Sequence, residues 1–307
     1  MRGTHTMSTT TTIPRGTRLV RLSFWVPAVL YLALFFGYPI AANVAMSFQD
    51  YTVTSFYGGG APWNGFDNYA AVLGDELFST TLWNTAVFTV ASLLFQFGIG
   101  LALALFFRRH FPLGGLLRAL LLLPWLLPLL VSGTVFRWLL DQDFGVVNQV
   151  LQGLHLIDDP VPWLVSTEHA MAAVVITNVW IGIPFNMVIL YGGLTSIPPQ
   201  LYEAASLDGA GAWQRFRHIT WPLLRPVTSV VLMLGLIYTV KAFDVVMVLT
   251  QAGPAGATQL LSTWSYELSF TELHFGRGAA VGNVLVVIAM IFAFGYLRAV
   301  RREQAGR

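Results

Sequence analysis

The chain has 307 residues, of which 55% are hydrophobic and only 10% are charged, and its formal net charge is +2. Globular proteins usually carry about a quarter charged residues, so this composition excludes an ordinary soluble protein and indicates an integral membrane protein. The chain has no cysteine, which excludes disulfides, thiolate zinc sites, iron–sulfur clusters and cysteine nucleophiles.

A polar segment, residues 1–21, opens the chain and contains a threonine run at 9–12. We predict a disordered cytoplasmic tail here, because so polar a segment cannot bury enough apolar surface to fold. The apolar stretch that follows does not look like a cleaved signal peptide, whose apolar region is shorter and precedes a small-residue cleavage site. We therefore expect it to be a retained membrane span.

Six apolar stretches are long enough to cross a bilayer, whose hydrocarbon core of about 30 Å needs roughly 20 residues of helix. Numbered as spans one to six, they cover about 23–46, 81–107, 117–140, 169–191, 222–249 and 277–298. The sequence thus predicts an all-α integral membrane protein with six transmembrane helices in one domain, residues 22–300, and a C-terminal tail at 301–307.

The basic residues predict the orientation, because Lys and Arg accumulate in cytoplasmic loops. Most of the 17 Lys and Arg residues fall on one side of the predicted topology, within segments 1–21, 108–118, 215–225 and 298–307. Both termini are therefore expected in the cytoplasm. The outer connections, such as 57–69 and 250–258, are rich in Gly, Pro and aromatic residues and favour turns rather than a folded domain.

The cytoplasmic connection between spans four and five, about residues 196–221, predicts two short helices joined by a sharp turn, which we call the elbow. Pro199 suits a first helical turn and Glu203 suits the positive end of a helix dipole, so a helix is expected over about 199–208. Gly209 and its neighbours favour a turn. A second amphipathic piece, 213–219, is expected to end before Pro222.

The residues of the elbow allow two interpretations. Its small side chains would let another protein's backbone approach closely, which favours a docking surface. An interfacial helix, with Trp213 and Phe216 among the headgroups and Arg215 and Arg217 on lipid phosphates, fits the same pattern.

The string EAASLDGAGAWQRFRHITWPLLRP at 203–226 resembles the EAA motif of permease subunits of binding-protein-dependent ABC importers. Glu203, Gly209, Ile219 and Pro222 have the motif's spacing, whereas Trp221 replaces the usual leucine. A second stretch, 243–258 with 275–283, resembles the fifth-span exit and sixth-span entrance of the carbohydrate branch, the family of the larger maltose permease subunit. There Ala252 stands where a glycine is usual. The resemblance covers about residues 20–300.

The resemblance implies a type I ABC importer permease fold in which the elbow is a coupling helix, seated in a cleft of an ATPase subunit. By position, Glu203 and Asp208 would pair with polar or basic groups of that cleft, and Gly209 would make the turn. The other coupling residues carried over from the motif are Ala204, Ala205, Ala210, Phe216 and Pro222. For Glu203, simple stabilisation of the helix dipole is the alternative role.

Energy must come from a partner, because the chain has no G-x-x-x-x-G-K-[ST] phosphate loop. We expect no catalytic residue and no bound cofactor or metal, with ATP and Mg held by the partner ATPase. The resemblance implies a second permease subunit, two ATPase subunits, an extracytoplasmic solute-binding protein and a carbohydrate substrate, assembled in the lipid of the cell's inner membrane and without nucleic acid.

Polar side chains inside spans are costly and indicate a substrate path. Lys241 and Asp244, three residues apart in predicted span five, would share a helix face and could pair, and a purely structural ion pair is the alternative. The remaining candidates are Gln96, Asn178, Trp180, Asn186, Tyr191, Tyr238 and Asn283. Amides can bind the neutral hydroxyls of a sugar or polyol, but they also bridge helices, so both roles stay open.

Two further features concern helix geometry. Pro184 is expected to kink or unwind span four, freeing backbone groups. Gly278 and Gly282 are expected to mark a close helix contact rather than a site.

The main rival function is a secondary transporter driven by an ion gradient, with Lys241 and Asp244 as a proton relay. Such folds usually show inverted repeats, and no convincing repeat is present. A membrane enzyme is disfavoured because the histidines are scattered rather than spaced as metal ligands and no G-x-S-x-G motif occurs.

Overall fold

The computed structural model describes residues 15–58, 60–109 and 111–305. Within these ranges the chain is helical, and β-structure is limited to two isolated bridges, Gln49 with Trp63 and Thr52 with His274. A spanning chain must satisfy its backbone hydrogen bonds internally, which a helix does. The expected all-α membrane fold is confirmed, while most of the predicted N-terminal tail and residues 306–307 lie outside the described residues.

Five helices in the described residues are long and apolar enough to cross a membrane without interruption. They are Ser23–Met46, Glu76–Phe107, Ala170–Thr195, Ala212–Val240 and Phe275–Arg298, and they correspond to predicted spans one, two, four, five and six. A bent pair of helices corresponds to span three. The count of six is therefore confirmed when that pair is taken as one span.

Span three is bent by 96° between Gly114–Leu126 and Leu129–Leu139, so the prediction of a single helix over 117–140 is wrong. Pro128 is the physical cause, since the ring of a proline pushes the preceding residue out of the helical region. Leu127 accordingly has an extended backbone, with ψ 143°, and Pro128 has ψ 136°.

Span five begins and ends about ten residues earlier than predicted. Its helix runs through Ala212–Arg215, a π-helical turn at Phe216–Thr220 and Trp221–Val240. The expected helix end before Pro222 is wrong, because the wider π turn, closed by the Trp221 amide on the Phe216 carbonyl, precedes the proline. Such a turn relieves the clash between a proline ring and the carbonyl four residues back.

Span four is one helix from Ala170 to Thr195 with Pro184 inside it. Pro184 is buried and the helix does not unwind around it, so the unwinding given as one of two expected effects is wrong, while the other, a kink, stays a prediction. Neighbouring helices can stabilise a spanning helix around such a proline.

Spans two and four form the centre of the fold and pack closely along their length. Gly100 in span two lies against Asn186 in span four, and Gly182 in span four lies against Gln96 in span two. Small residues allow backbones to approach in this way when no hydrophobic force drives helices together in lipid. The buried side chains around this pair include Phe88, Ala104, Val174, Met187, Leu190, Leu194, Leu224 and Val246.

Shorter helices connect the spans. Outside the elbow and the spans they are Val53–Gly58, Asp67–Leu73, Val146–Gly153, Asp244–Leu249, Leu261–Tyr266 and a π-helical turn at Glu267–Thr271. The helix 261–266 packs on span six, where the Ser265 hydroxyl donates to the Gly278 carbonyl at 2.7 Å. The predicted close contact at Gly278 and Gly282 is therefore confirmed.

Span one differs from the other spans because few of the described residues pack against it. None of its most apolar window is buried. A hydrogen bond near its end connects it to span six, where the Asn43 amide donates to the Asn283 side-chain carbonyl at 2.9 Å.

Candidate functional site

The elbow consists of one short helix and a turn that leads directly into span five. The helix runs over Pro199–Leu207, one residue shorter than predicted. Gly209 has φ +80°, a left-handed conformation that glycine adopts without a steric penalty. The amide of Ala210 donates to the Ala205 carbonyl at 2.9 Å and closes the helix end, so the predicted turn is confirmed.

Two side-chain hydrogen bonds fasten the elbow helix to the start of span five. The hydroxyls of Tyr202 and Thr220 lie 3.0 Å apart, and Arg215 Nη1 donates to the Ser206 hydroxyl at 2.9 Å. The elbow helix and the first turns of span five are thus held to each other at two points.

The outer surface of the elbow combines carboxylates with exposed apolar groups. Glu203 and Asp208 are exposed, and neither forms an ion pair with any cation in the described ranges. Leu207 is 90% exposed and Trp213 69%. Leu207 was not among the predicted coupling residues. Its position directly before the turn at 208–211 was the signal that could have indicated an exposed apolar contact.

The other predicted coupling residues fall into two groups. Ala204 and Gly209 are exposed on the elbow, and Ala205 and Ala210 are half-buried. Phe216 stacks on Trp213 with ring centroids 5.6 Å apart, and the half-buried Pro222 lies in the unbroken helix of span five. Phe216 and Pro222 therefore lie where the elbow continues into span five, and not on the exposed surface around Gly209.

A cavity of about 470 Å³ lies between spans two, four and five and the bend of span three. It brings together five of the predicted path residues, namely Gln96, Asn178, Tyr238, Lys241 and Asp244. Sequence reasoning missed its aromatic wall of Trp125, Phe185 and Phe243. Pro128 was the available signal, because it bends span three and Trp125 lies just before the bend, at the cavity wall.

Lys241 and Asp244 both line the cavity, but they do not share a helix face as predicted. The helix of span five ends at Val240, Lys241 has φ −93° and ψ 12°, and a new helix begins at Asp244. No ion pair joins the two residues in the described part of the chain. Instead Lys241 Nζ lies 5.3 Å from the centre of the Tyr238 ring, a cation–π distance.

Gln96 and Asn178 play different parts in the cavity wall. Gln96 Nε2 donates to the backbone carbonyl of Asn178 at 2.9 Å and thereby bridges spans two and four. The side-chain nitrogen of Asn178 is buried and has no hydrogen-bond partner among the described residues. An unpaired buried donor is costly, and Asn178 is also one of the residues that line the cavity.

The remaining four predicted path residues lie outside this cavity. Trp180 packs on Phe136 with ring centroids 5.1 Å apart, and Asn186 donates to the Gly182 carbonyl of its own helix at 2.9 Å. Tyr191 lies under the guanidinium of Arg118 at 4.4 Å. Asn283 accepts from Asn43 and donates to the Tyr69 hydroxyl at 3.2 Å. Packing accounts for each of these contacts.

Comparison with known proteins matches one family over most of the chain. The family model described as "Binding-protein-dependent transport system inner membrane component" matches residues 96–302. The sulfoquinovosyl glycerol transport system permease protein SmoG of Agrobacterium fabrum is 35% identical over 94% of this chain and 92% of its own length. The trehalose/maltose transport system permease protein MalF of Thermococcus litoralis is 35% identical over 77% of this chain and 79% of its own.

A solved structure has the same fold. It is a chain of a bacterial alginate ABC transporter in complex with a periplasmic protein bound to alginate pentasaccharide, with a TM-score of 0.80 over 94% of this chain and 96% of that chain. The sequence identity is 23%, so this likeness concerns the fold. It confirms the expected type I permease architecture.

Proposed function

The chain belongs to the family of inner membrane components of binding-protein-dependent transport systems, and from this premise we propose that it forms half of the translocation pathway for a sugar or related polyol. It is a permease subunit of an ABC importer. The predicted family is therefore confirmed, and the gradient-driven alternative finds no support among the relatives.

The observation that carries the proposed path is the unpaired buried amide of Asn178 in the cavity. Tyr238 lies in the same cavity, as do the rings of Trp125, Phe185 and Phe243. Aromatic faces and amide donors suit the apolar faces and hydroxyls of a carbohydrate. The names of SmoG and MalF, which describe sugar-related cargo for those proteins, support the same substrate class.

The elbow is proposed to couple this path to ATP hydrolysis in partner ATPase subunits. ATP can bias two conformations of the permease only through contacts that differ between them. The exposed Glu203 and Asp208, the apolar Leu207 and the small residues around Gly209 offer such contacts to a cleft. ATP and Mg would then reside in the partner, and the permease would contribute no catalytic group.

The proposed assembly contains this chain, a second permease, two ATPase subunits and an extracytoplasmic solute-binding protein. The family description names dependence on a binding protein, and the exposed apolar span one leaves a large surface for a second permease or lipid. We propose the inner membrane as the location, with both termini cytoplasmic, the permease domain at 22–300 and tails at 1–21 and 301–307.

Reconstitution tests this function. The complete importer in proteoliposomes should take up labelled disaccharides only with ATP, its binding protein and a competent elbow. Glu203→Ala should lower uptake strongly, whereas Gln200→Ala, an exposed change on the same helix, should not. Uptake driven by a proton gradient in vesicles that contain this chain alone would contradict the proposal.

A further inference from the structure

A second cavity, of about 760 Å³, lies away from the proposed sugar path, at the elbow end of the protein. It is bounded by the end of span two, the start of span three, the end of span four and Pro199 at the start of the elbow. We call it the basic pocket, because Arg108, Arg109 and Arg118 line it and none of its described lining residues is acidic.

Two of these arginines are held by aromatic rings rather than by carboxylates. The Arg108 guanidinium lies 3.9 Å from the centre of the Tyr202 ring, and that of Arg118 lies 4.4 Å from the Tyr191 ring. Arg118 Nε also donates to the Gly114 carbonyl at 3.2 Å. Within the described ranges no carboxylate pairs with Arg108, Arg109 or Arg118.

This arrangement leaves strong donors without acceptors. A guanidinium carries five N–H donors in a planar fork, and stacking on a ring occupies its face, not the donors at its edge. The helix that begins at Gly114 has no side-chain cap, so its N-terminus adds further positive potential where Gly114 and Gly115 line the pocket. The complementary ligand is an anion with several oxygen acceptors, and a phosphate group has the geometry that arginine forks bind bidentately.

The surroundings of the pocket favour a phosphate carried by a lipid. Leu113, Leu116 and Leu120, on and beside the helix that begins at Gly114, are at least half exposed, and the rings of Phe107 and Phe111 line the pocket. Basic pockets between spanning helices are suited to anionic headgroups, whose acyl chains continue along the apolar surface. We propose that the basic pocket binds the phosphate of an anionic phospholipid headgroup.

Occupation of the pocket would bear on the elbow directly. Arg108 contacts Tyr202, which belongs to the elbow helix, and Tyr202 is in turn hydrogen-bonded to Thr220 of span five. A headgroup that binds Arg108 therefore steadies this ring contact. The lipid composition of the membrane would then influence how firmly the elbow is held.

A lipid titration of the assembled importer tests the proposal. The delipidated complex in neutral detergent is titrated with short-chain phosphatidylglycerol, with phosphatidylcholine of the same chain length as reference, and binding is followed by native mass spectrometry. The wild-type complex should prefer phosphatidylglycerol. The double variant R108Q/R118Q should lose about fivefold in affinity per arginine, or about 25-fold in total.

Two variants separate the site from general charge. Arg298→Gln removes one charge at an exposed position outside the pocket and should keep wild-type binding. R108K/R118K keeps the positive charges but replaces the planar guanidinium groups that bind phosphate through two hydrogen bonds. Its affinity for phosphatidylglycerol should therefore fall between those of the wild type and R108Q/R118Q. Elution of each complex as one assembled species on size exclusion shows that its variant has folded.

The competing outcomes are distinct. Displacement of phosphatidylglycerol by millimolar inorganic phosphate would overturn the lipid source and leave a site for free phosphate. Equal binding of the wild type and R108Q/R118Q would overturn the site itself. Loss of the ATPase subunits from R108Q/R118Q, with lipid binding unchanged, would assign the arginines to a protein partner instead.

Discussion

Gly100 in span two lies directly against Asn186 in span four. A Cβ atom added at Gly100 would be 2.6 Å from the Asn186 Cβ and 3.1 Å from the backbone nitrogen of Met187. Because backbone atoms cannot move aside as a flexible side chain does, this contact fixes how closely the two central spans approach.

Gly100→Ala should therefore lower the free energy of unfolding by about 1–3 kcal/mol, the usual cost of overpacking a close contact. Gly98→Ala is the matched control, since a Cβ there meets nothing within 4 Å. Unfolding in mixed micelles, titrated with a denaturing detergent, measures both. Equal stability of the two variants would show that the spans can separate without cost.

Asn178→Leu should impair transport without loss of stability. Stability should not change, because the Asn178 side-chain nitrogen has no hydrogen-bond partner among the described residues. The substrate, in contrast, would lose the hydrogen bond between this nitrogen and a sugar hydroxyl. Such a bond contributes about 1 kcal/mol, so uptake should fall several-fold. The contrast is Asn186→Ala, which removes a packed and hydrogen-bonded side chain. That variant should unfold more easily but transport normally per folded molecule, as ATP-driven uptake in proteoliposomes would show.

Gly209→Ala should uncouple ATP hydrolysis from uptake. Nothing lies within 4 Å of a Cβ added at Gly209, but its φ of +80° costs an alanine about 1–2 kcal/mol. Gly211→Ala is the control, because Gly211 has φ −68°, which alanine adopts freely. The measurement is the ratio of sugar uptake to the ATPase activity that the loaded binding protein stimulates. The same ratio in Gly209→Ala and Gly211→Ala would show that the turn is not needed for coupling.

Asn283 should prove to be a structural residue. A double-mutant cycle with Asn43→Ala and Asn283→Ala should give a coupling energy of roughly 0.6 kcal/mol or more, as expected for interhelical hydrogen bonds in membranes. The relative uptake of two different sugars should stay constant across the cycle. A change in that ratio would show that Asn283 contributes to sugar selectivity and therefore belongs to the substrate path.

The elbow was largely predictable because its signals are local. Pro199, Glu203 and Gly209 each constrain the backbone through their own chemistry, and the helix and turn occur where those residues place them. The start of span five was mispredicted for a related reason. Pro222 ordinarily ends a helix, and the π turn that precedes it leaves no trace in hydrophobic periodicity.

The cavity was only partly predictable. In lipid an apolar side chain gains little from facing a neighbouring helix rather than the bilayer, so apolarity does not reveal which face of a span is inward. Polar residues within the apolar spans were the usable signal, and they identified Gln96, Asn178 and Tyr238. The position of Trp125 at the cavity wall depends on the bend at Pro128, whereas the long apolar run predicted a single straight helix.

The helix of span five, including its π-helical turn, connects the elbow end of the permease to the cavity as one span. It runs from Ala212 beside the elbow to Val240 beside the cavity, about 44 Å at 1.5 Å per residue. A rod of this length turns a small tilt at one tip into a displacement of several ångströms at the other. Tyr238 lies in the last turn of this helix and Lys241 directly follows it. A tilt of the helix can therefore change the width of the cavity while the hydrogen bonds within the helix stay in place.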